Sequence, residues 1–212
     1  MKKTIYISFM FLTIAIGCDS NKTNNLPKQE KADTTAVTTV ITDSKSSDST
    51  QLPEAAKAFV LPNHEVLKFQ KGDLNKDNIE DIVLILEKKG DDEQAARPLL
   101  LLIQDVKGVY TLAARNDKVV ACKGCGGMMG DPLAGIAIKN GFFTIEEEGG
   151  SRERWTRYIT FQYDAAQKIW VLHRIDVSSV DTFEPKNDKK SVKTAKNFGK
   201  ILFTQYDSET IE

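Results

Sequence analysis

The chain has 212 residues, of which 29 are Lys or Arg and 30 are Asp or Glu, so its formal net charge at pH 7 is −1. This near-neutral balance argues against a nucleic acid, or an anionic membrane surface, as a partner attracted by bulk charge. Beyond the N-terminal segment, no apolar run approaches the ~20 residues that a membrane-spanning helix needs. The composition therefore predicts a protein that binds no nucleic acid and has no internal transmembrane helix.

The first eighteen residues combine a basic start, an apolar run and a cysteine. Lys2 and Lys3 precede an apolar run from Ile5 to Ile16, which is too short to cross a bilayer ~30 Å thick. Ala-Ile-Gly then stands directly before Cys18, and this ending resembles the lipobox of bacterial lipoproteins. The resemblance implies removal of residues 1–17 and attachment of acyl chains, such as palmitate, to Cys18. We therefore expect a protein anchored by lipid to a membrane of the bacterial cell envelope, outside the cytoplasm. The alternative is an ordinary secretory signal followed by a chance cysteine.

Residues 18–50 predict a disordered tether. From residue 19 onward this segment is rich in Ser, Thr, Asn, Asp and Lys and contains no aromatic residue, so it has too little apolar surface to offset the entropy of an ordered chain. As a flexible coil it would hold the following domain ~30 Å from the membrane on average. Residues 51–212 are enough for one domain with a hydrophobic core.

The residue pattern of this domain predicts an all-β (β-dominated) fold of antiparallel meander sheets with a short N-terminal helix. The helix is expected within Pro53–Phe59, and Asn140-Gly141 is the strongest hairpin signal because both residues tolerate positive φ. Polar residues 186–196 predict a loop, and residues 199–206 a closing strand. The other predicted strands are Ile79–Glu87, Pro98–Gln104, Val109–Ala113, Gly135–Ile138, Phe142–Ile145, Arg154–Tyr163 and Lys168–Ile175.

The segment GDLNKDNIED, which starts at Gly72, spaces its oxygen donors as calcium loops do. A tight loop of this kind surrounds Ca²⁺ with hard oxygen ligands at ~2.4 Å. Position 12 of the loop is Leu84 and not Glu, so the segment is not an EF-hand. The predicted ligands are the side chains of Asp73, Asn75, Asp77 and Asp81 and the backbone carbonyl of Ile79.

A strand follows this loop at once, and the combination resembles the FG-GAP or VCBS-type loop of integrin-like propeller blades. The resemblance implies a structural Ca²⁺ ion that ties the loop to the strand. The loop occurs once and a seven-bladed propeller does not fit into ~160 residues, so we expect no full propeller. The alternative is an Asx-rich turn that satisfies its own backbone N–H groups without a metal.

Two cysteines remain once Cys18 carries lipid, and they stand close together as Cys122 and Cys125. Because the cell envelope permits oxidation, we expect a local disulfide. A redox-active pair requires a helix directly after the first cysteine, which the following Gly126-Gly127 argues against. A zinc site needs two further ligands, and the two histidines stand at no recognisable spacing. Free thiols are the remaining alternative.

Three arginines and a tryptophan follow a run of three glutamates. One interpretation is a hairpin in which Glu and Arg pair across neighbouring strands. The other is an exposed recognition patch, since Trp and Arg are enriched in binding hot spots. The residues of this predicted patch are Arg152, Arg154, Trp155 and Arg157.

These motifs together resemble a family of uncharacterised bacterial lipoproteins over the span from Gly72 to Asp176. Its members share a GDLN-type loop, a CxxCGG segment followed by GDP, and a GGSxxRWTR strand, and all three stand here in that order. The resemblance implies a class of lipoprotein and carries no activity with it.

No motif of a known catalytic site occurs in the sequence, whether the Gly-x-Ser-x-Gly elbow, HExxH or a phosphate-binding loop. The sequence therefore predicts a non-enzymatic module that binds an envelope protein or glycan. The alternatives are an envelope hydrolase acting on peptidoglycan or polysaccharide, and an inhibitor or immunity-type lipoprotein. A concave cleft with paired acidic residues would favour the hydrolase, and a flat Trp/Arg patch would favour binding.

Overall fold

The computed structural model describes residues 51–211, and most of them lie in β-strands. The predicted signal peptide, the lipidation site Cys18 and the tether lie outside the described residues. Within 51–211, no helix is long and apolar enough to cross a membrane. The predicted all-β class with antiparallel sheets is confirmed, and the sheets close into neither a barrel nor a propeller.

The strands form two antiparallel sheets, each a meander in which consecutive strands are neighbours. Sheet A consists of β1 (His64–Gly72), β2 (Asp81–Lys88), β3 (Arg97–Gln104) and β4 (Tyr110–Val120). Sheet B consists of β5 (Leu133–Lys139), β6 (Phe142–Gly150), β7 (Glu153–Asp164), β8 (Ile169–Asp181) and β9 (Lys189–Thr194). The helices of the described part are the 3₁₀ helices Glu54–Phe59, Lys123–Met129, Pro185–Asn187 and Phe203–Gln205 and the α-helix Ala195–Phe198.

The turns follow the chemistry of their residues. Asn140 and Gly141, between β5 and β6, have φ values of 52° and 75°, the positive pair that a two-residue hairpin needs. At the β3–β4 turn the Gly108 N–H donates to the Asp105 carbonyl at 2.9 Å. The side chain of Asp105 accepts from the N–H of Val109 at 2.9 Å, which fixes the hairpin that the sequence predicts there.

The inner faces of the two sheets enclose one apolar core. Since alternate residues of a strand point to opposite faces, alternate side chains in the middle of β2, β3, β6 and β7 enter this core. These side chains are Val83, Ile85, Leu99 and Leu101 from sheet A and Phe143, Ile145, Ile159 and Phe161 from sheet B. All eight are buried.

The outer faces of the two sheets differ. The segment around the 3₁₀ helix Glu54–Phe59 covers sheet A, where Leu52 and Ala56 pack against the outward side chains of β2 and β3. Burial on both faces explains why these two strands are continuous apolar runs. The outer face of sheet B is polar, with cross-strand hydroxyl pairs such as Thr144–Thr160 at 2.9 Å.

Two predicted elements differ from the structure, and one strand was not predicted. Residues 186–196, predicted as a loop, include β9, an edge strand whose lysines and half-exposed Val192 give no alternating apolar pattern. Residues 199–206, predicted as a strand, make one bridge at Leu202 and then turn into a 3₁₀ helix that buries Phe203 and Tyr206. The sequence also gave no signal for β1, another edge strand with irregular burial.

Candidate functional site

A cleft of about 660 Å³ lies at one end of the two-sheet core. Its walls come from the β2–β3 loop, the end of β4, the cysteine segment, β7 and β8, and residues 207–209 near the C-terminus. Trp155 and Arg157 of β7 both line it. A cleft of this size is within the range of ligand-binding pockets, ~300–1,000 Å³.

The alternation of β7 places Trp155 and Arg157 in the cleft. Ile159 and Phe161 of the same strand point into the core. Trp155 and Arg157 lie an even number of positions before them, so their side chains are on the same face of the sheet but beyond the end of the core. Arg154 has the opposite parity, is exposed and belongs to the outer face of sheet B. The predicted patch is therefore divided between two faces.

Arg152 lies in the β6–β7 turn and contacts Asp181, the last residue of β8, and Phe183 just after it. Its guanidinium is 3.1 Å from the Asp181 carboxylate and 5.4 Å from the centre of the Phe183 ring. The hydrogen bond from Arg152, helped by the Phe183 N–H, lowers the pKa of Asp181 to about 2. Arg152 thus has a local structural role at the turn, away from the cleft.

Arg157 forms a cross-strand ion pair with Glu147 of β6. Its Nε donates to Glu147 Oε2 at 2.8 Å, and its Nη2 is 2.7 Å from the same oxygen. The other Glu147 oxygen accepts from the Ala121 N–H at 2.7 Å, and the Glu147 side chain is fully buried. The Glu–Arg pairing considered from sequence is present here, and it fixes the position of Arg157 in the cleft.

Trp155 lies across Gly149 of the neighbouring strand. The two residues are register partners, and a Cβ at position 149 would lie 2.5 Å from Trp155 Cζ2 and 2.8 Å from the Gly126 carbonyl oxygen. Only glycine leaves room for both groups. The Arg157 guanidinium is 5.9 Å from the centre of the indole ring, so Trp155 lies close to both the Gly149 backbone and this cation.

The cysteine segment forms the rim of the cleft. The sulfur atoms of Cys122 and Cys125 lie 2.10 Å apart, the distance of a disulfide bond. The expectation that no helix follows Cys122 is wrong, because a 3₁₀ helix begins at Lys123. Such a turn needs only hydrogen bonds between residues three apart, and the Cys125 N–H donates to the Cys122 carbonyl at 3.1 Å. The helix is interrupted at Gly127, whose φ is 67°.

A buried arginine, which sequence analysis missed, ties this segment to sheet A. Arg97 is 1% exposed and donates to both carboxylate oxygens of Asp131 at 2.7 and 2.6 Å. It also donates to Glu87 at 2.5 Å. Burial alone would raise the pKa of Asp131, but the hydrogen bonds from Arg97 and the Leu133 N–H outweigh it and lower that pKa. The sequence signal for this buried ion pair is the position of Arg97, a charged residue at the start of the apolar run RPLLLLI.

Three carboxylates border the cleft: Asp117, Asp207 and Glu209. Asp117 pairs with Arg115 at 2.7 Å, and Asp207 pairs with Lys118. The hydrogen bond from Lys118 lowers the pKa of Asp207, whereas a carboxyl that acts as a general acid needs a raised pKa. The cleft is concave, as expected for the hydrolase alternative, but the ion pairs of Asp117 and Asp207 suit charged binding groups better than general acids.

The predicted calcium loop connects β1 to β2, and its three aspartates converge. Oxygen atoms of Asp73, Asp77 and Asp81 lie within 4.8 Å of one another. Lys76 and Asn78 have φ values of 65° and 66°, which wind the chain tightly enough to bring the carboxylates together. Asn tolerates this left-handed conformation better than most residues.

Backbone N–H groups already bind most of these oxygens. Asp73 accepts from Lys76 at 2.6 Å and Asn78 at 3.0 Å, Asp77 from Ile79 at 2.8 Å, and Asn75 Oδ1 from Asp77 at 3.0 Å. These are the bonds of an Asx-rich turn. Asp73 Oδ1 accepts two such bonds, from Asn75 and Lys76. An oxygen that accepts only one, such as Asp73 Oδ2, keeps a second lone pair, through which the same turn can also bind a cation.

Asp81 is the buried member of the group. It is 0% exposed and accepts from the N–H groups of Leu74 at 2.9 Å and Gln104 at 3.0 Å. Burial, with a smaller contribution from Asp77 and Asp73, raises the pKa of Asp81 to about 6. Since all the donors are hard oxygens and their charge is concentrated, the residues fit Ca²⁺.

Comparison with the models of known protein families, with curated proteins and with solved structures finds no match for this chain. Its function is therefore argued from the chemistry of its own residues.

Proposed function

We propose that this chain is a lipid-anchored protein of the bacterial cell envelope whose β domain binds an envelope protein or glycan without catalysing a reaction. The observation that carries the proposal is the cleft in which Trp155 and Arg157 lie side by side. Cys18 supplies the lipid anchor, and residues 18–50 give the domain reach from the membrane.

Preorganisation of the cleft supports a binding role. Arg157 is fixed by the fully buried Glu147, and Trp155 is confined by Gly149. A rigid aromatic ring loses little entropy when a ligand contacts it, and this lowers the cost of binding. Trp155 offers a flat face for a sugar ring or an apolar side chain, while Lys118 and Asp207 at the rim offer hydrogen-bonding groups.

Photo-crosslinking in cells tests this proposal. A photo-reactive residue at Gln94, which is exposed and lines the cleft, should capture the ligand. The matched control is the same residue at Val192, which is 50% exposed on the outer face of sheet B. We expect a discrete product from position 94 and none from position 192. Equal products from both positions, or none from position 94, would contradict the proposal.

We also propose that the loop between β1 and β2 binds a structural Ca²⁺ ion. Asp73, Asn75, Asp77 and Asp81 would hold it with side-chain oxygens and Ile79 with its carbonyl. The ion supplies positive charge among three converging carboxylates, and it would tie the end of β1 to the start of β2. Extracellular calcium modules of this kind bind at ~10⁻⁴–10⁻³ M, so millimolar Ca²⁺ is the concentration to test.

A hydrolase acting on peptidoglycan or polysaccharide is the second candidate, and the concavity of the cleft is the observation that favours it. Glu209 lines the cleft in the segment near the C-terminus, and its side chain is exposed. If the protein is a hydrolase, purified domain should release soluble fragments from cell-wall sacculi, and Glu209→Gln or Asp117→Asn should abolish the release. We expect no release from the unmodified domain.

A further inference from the structure

The two cysteines of the disulfide segment differ in exposure. Both cysteines line the cleft, but Cys125 is exposed while Cys122 is half-buried. Two methionines follow on the same segment, and Met128 and Met129 are 88% and 43% exposed. Cys125 is therefore the more accessible residue of the pair, and flexible apolar side chains follow it on the same segment.

The disulfide is not the only attachment of this segment to the rest of the fold. The segment is already attached by a hydrogen bond from the Gly124 N–H to the Glu93 carbonyl at 2.9 Å and by the Arg97–Asp131 ion pair. Gly126 is packed against Pro132. Only two residues separate the cysteines, so the crosslink removes little entropy from the unfolded chain. We therefore expect the fold to survive reduction of the bond.

We propose that Cys122 and Cys125 form a thiol–disulfide exchange site for an extracytoplasmic protein that carries a pair of thiols. The extracytoplasmic location of the partner rests on the proposed function, but the exchange chemistry does not depend on ligand binding in the cleft, because small thiols can test it directly. Exposed disulfides are the ones that exchange readily, whereas buried structural ones resist reduction.

The exchange proceeds in two balanced steps. A thiolate of the partner attacks Cys125 Sγ, a new S–S bond forms, and the bond to Cys122 breaks with its electron pair leaving on Cys122 Sγ. The partner's second thiolate then attacks the partner's own sulfur in this mixed disulfide, and Cys125 leaves as a thiolate. The protons of the partner's thiols end on Cys122 and Cys125, so the partner is oxidised by two electrons and this chain is reduced by two.

Redox equilibration of the folded protein is the first test. The protein is equilibrated in buffers of reduced and oxidised glutathione, quenched with acid and alkylated, and the reduced fraction is measured by mass. We expect the reduced fraction to rise from nearly none to nearly all within the range of ratios that glutathione covers, while the circular dichroism spectrum stays unchanged. A disulfide that stays oxidised until the protein is unfolded would overturn the proposal.

A matched pair of variants tests which sulfur is attacked. Cys122→Ser leaves the exposed cysteine and Cys125→Ser the half-buried one, and each is treated with oxidised glutathione. We expect Cys122→Ser to form the mixed disulfide at least about tenfold faster, because access controls the rate. Equal rates, or a faster Cys125→Ser, would overturn the assignment. If either variant fails to fold, peptide mapping of the mixed disulfide in the unmodified chain gives the same answer: glutathione on Cys125 supports it and on Cys122 refutes it.

Discussion

Trp155 owes its position to Gly149, its register partner on the adjacent strand, where an added Cβ would lie 2.5 Å from the indole Cζ2. The role of Gly149 is therefore to let the indole ring approach the backbone closely, and not to form a turn. This relationship connects the GGSxxRWTR motif to a specific packing requirement, and it makes Trp155 a fixed element of the candidate binding site.

Gly149→Ala should displace Trp155. Overpacking of this kind costs ~1–3 kcal/mol, so we expect a lower free energy of unfolding and a red-shifted tryptophan emission as the ring moves toward solvent. The buried Trp170 contributes the same background emission in the unmodified protein and in Gly149→Ala. In a Trp155→Ala background the same substitution should cost less, and equal costs in the two backgrounds would show that the ring is not the obstacle.

Arg97→Met should be among the most damaging single substitutions. It leaves Asp131 and Glu87 without their buried cation, and breaking a buried ion pair costs ~3–5 kcal/mol. The control is Arg115→Met, whose exposed pair with Asp117 is worth less than ~1 kcal/mol. Urea unfolding of both variants measures the difference, and similar losses would contradict the proposed role of Arg97.

The Arg97–Asp131 pair should also make stability depend on pH. Because the folded-state pKa of Asp131 is lowered, its contribution is fully present above the ordinary Asp pKa of ~3.9 and is lost as the pH falls through the lower folded value. Urea unfolding at a series of acidic pH values should therefore show a steeper loss for the unmodified chain than for Arg97→Met. Parallel pH profiles of the two proteins would mean that the interaction between Asp131 and Arg97 does not stabilise the fold.

Ca²⁺ should raise the melting temperature of the domain relative to EDTA. An ion at ten times its dissociation constant stabilises the folded state by ~1.4 kcal/mol. Asp77→Asn removes one charged ligand from an exposed position and should abolish the shift, whereas Asp117→Asn, outside the loop, should keep it. Identical melting in Ca²⁺ and EDTA would support the metal-free Asx turn instead.

Lipidation should depend on Cys18. Cells that express the full chain and are fed labelled palmitate should incorporate label into the protein, and Cys18→Ser should lose it and release the protein from the membrane fraction. Retention of the label by the serine variant would contradict the anchor predicted from the lipobox.

Sequence analysis predicted the fold class well where the signal was local. The apolar runs of β2 and β3 and the hairpin at Asn140-Gly141 depend on neighbouring residues, and both are present. Edge strands such as β9 were not predicted. One face and one edge of such a strand contact solvent, so its sequence does not need to alternate between apolar and polar residues. Phe203 was assigned to a strand because an apolar run does not reveal whether it is paired or inserted into a core.

The site was harder to predict because its residues come from distant parts of the chain. Glu147 and Arg157 are close in sequence, so their pairing was one of the alternatives considered. Arg97 and Asp131 are 34 residues apart, and only the packing of the cysteine segment on sheet A brings them together. The division of the predicted arginine patch follows from strand parity, which fixes the face of each residue once the core positions are known.

The central claim is that the cleft binds an envelope ligand through Trp155. The most direct measurement is the yield of the crosslinked product from a photo-reactive residue at Gln94, compared between the otherwise unmodified chain and Trp155→Ala at equal membrane levels. Loss of an aromatic hot-spot contact costs at least ~2 kcal/mol, so we predict that the yield falls by at least about tenfold. An unchanged yield from a folded Trp155→Ala protein would contradict the claim.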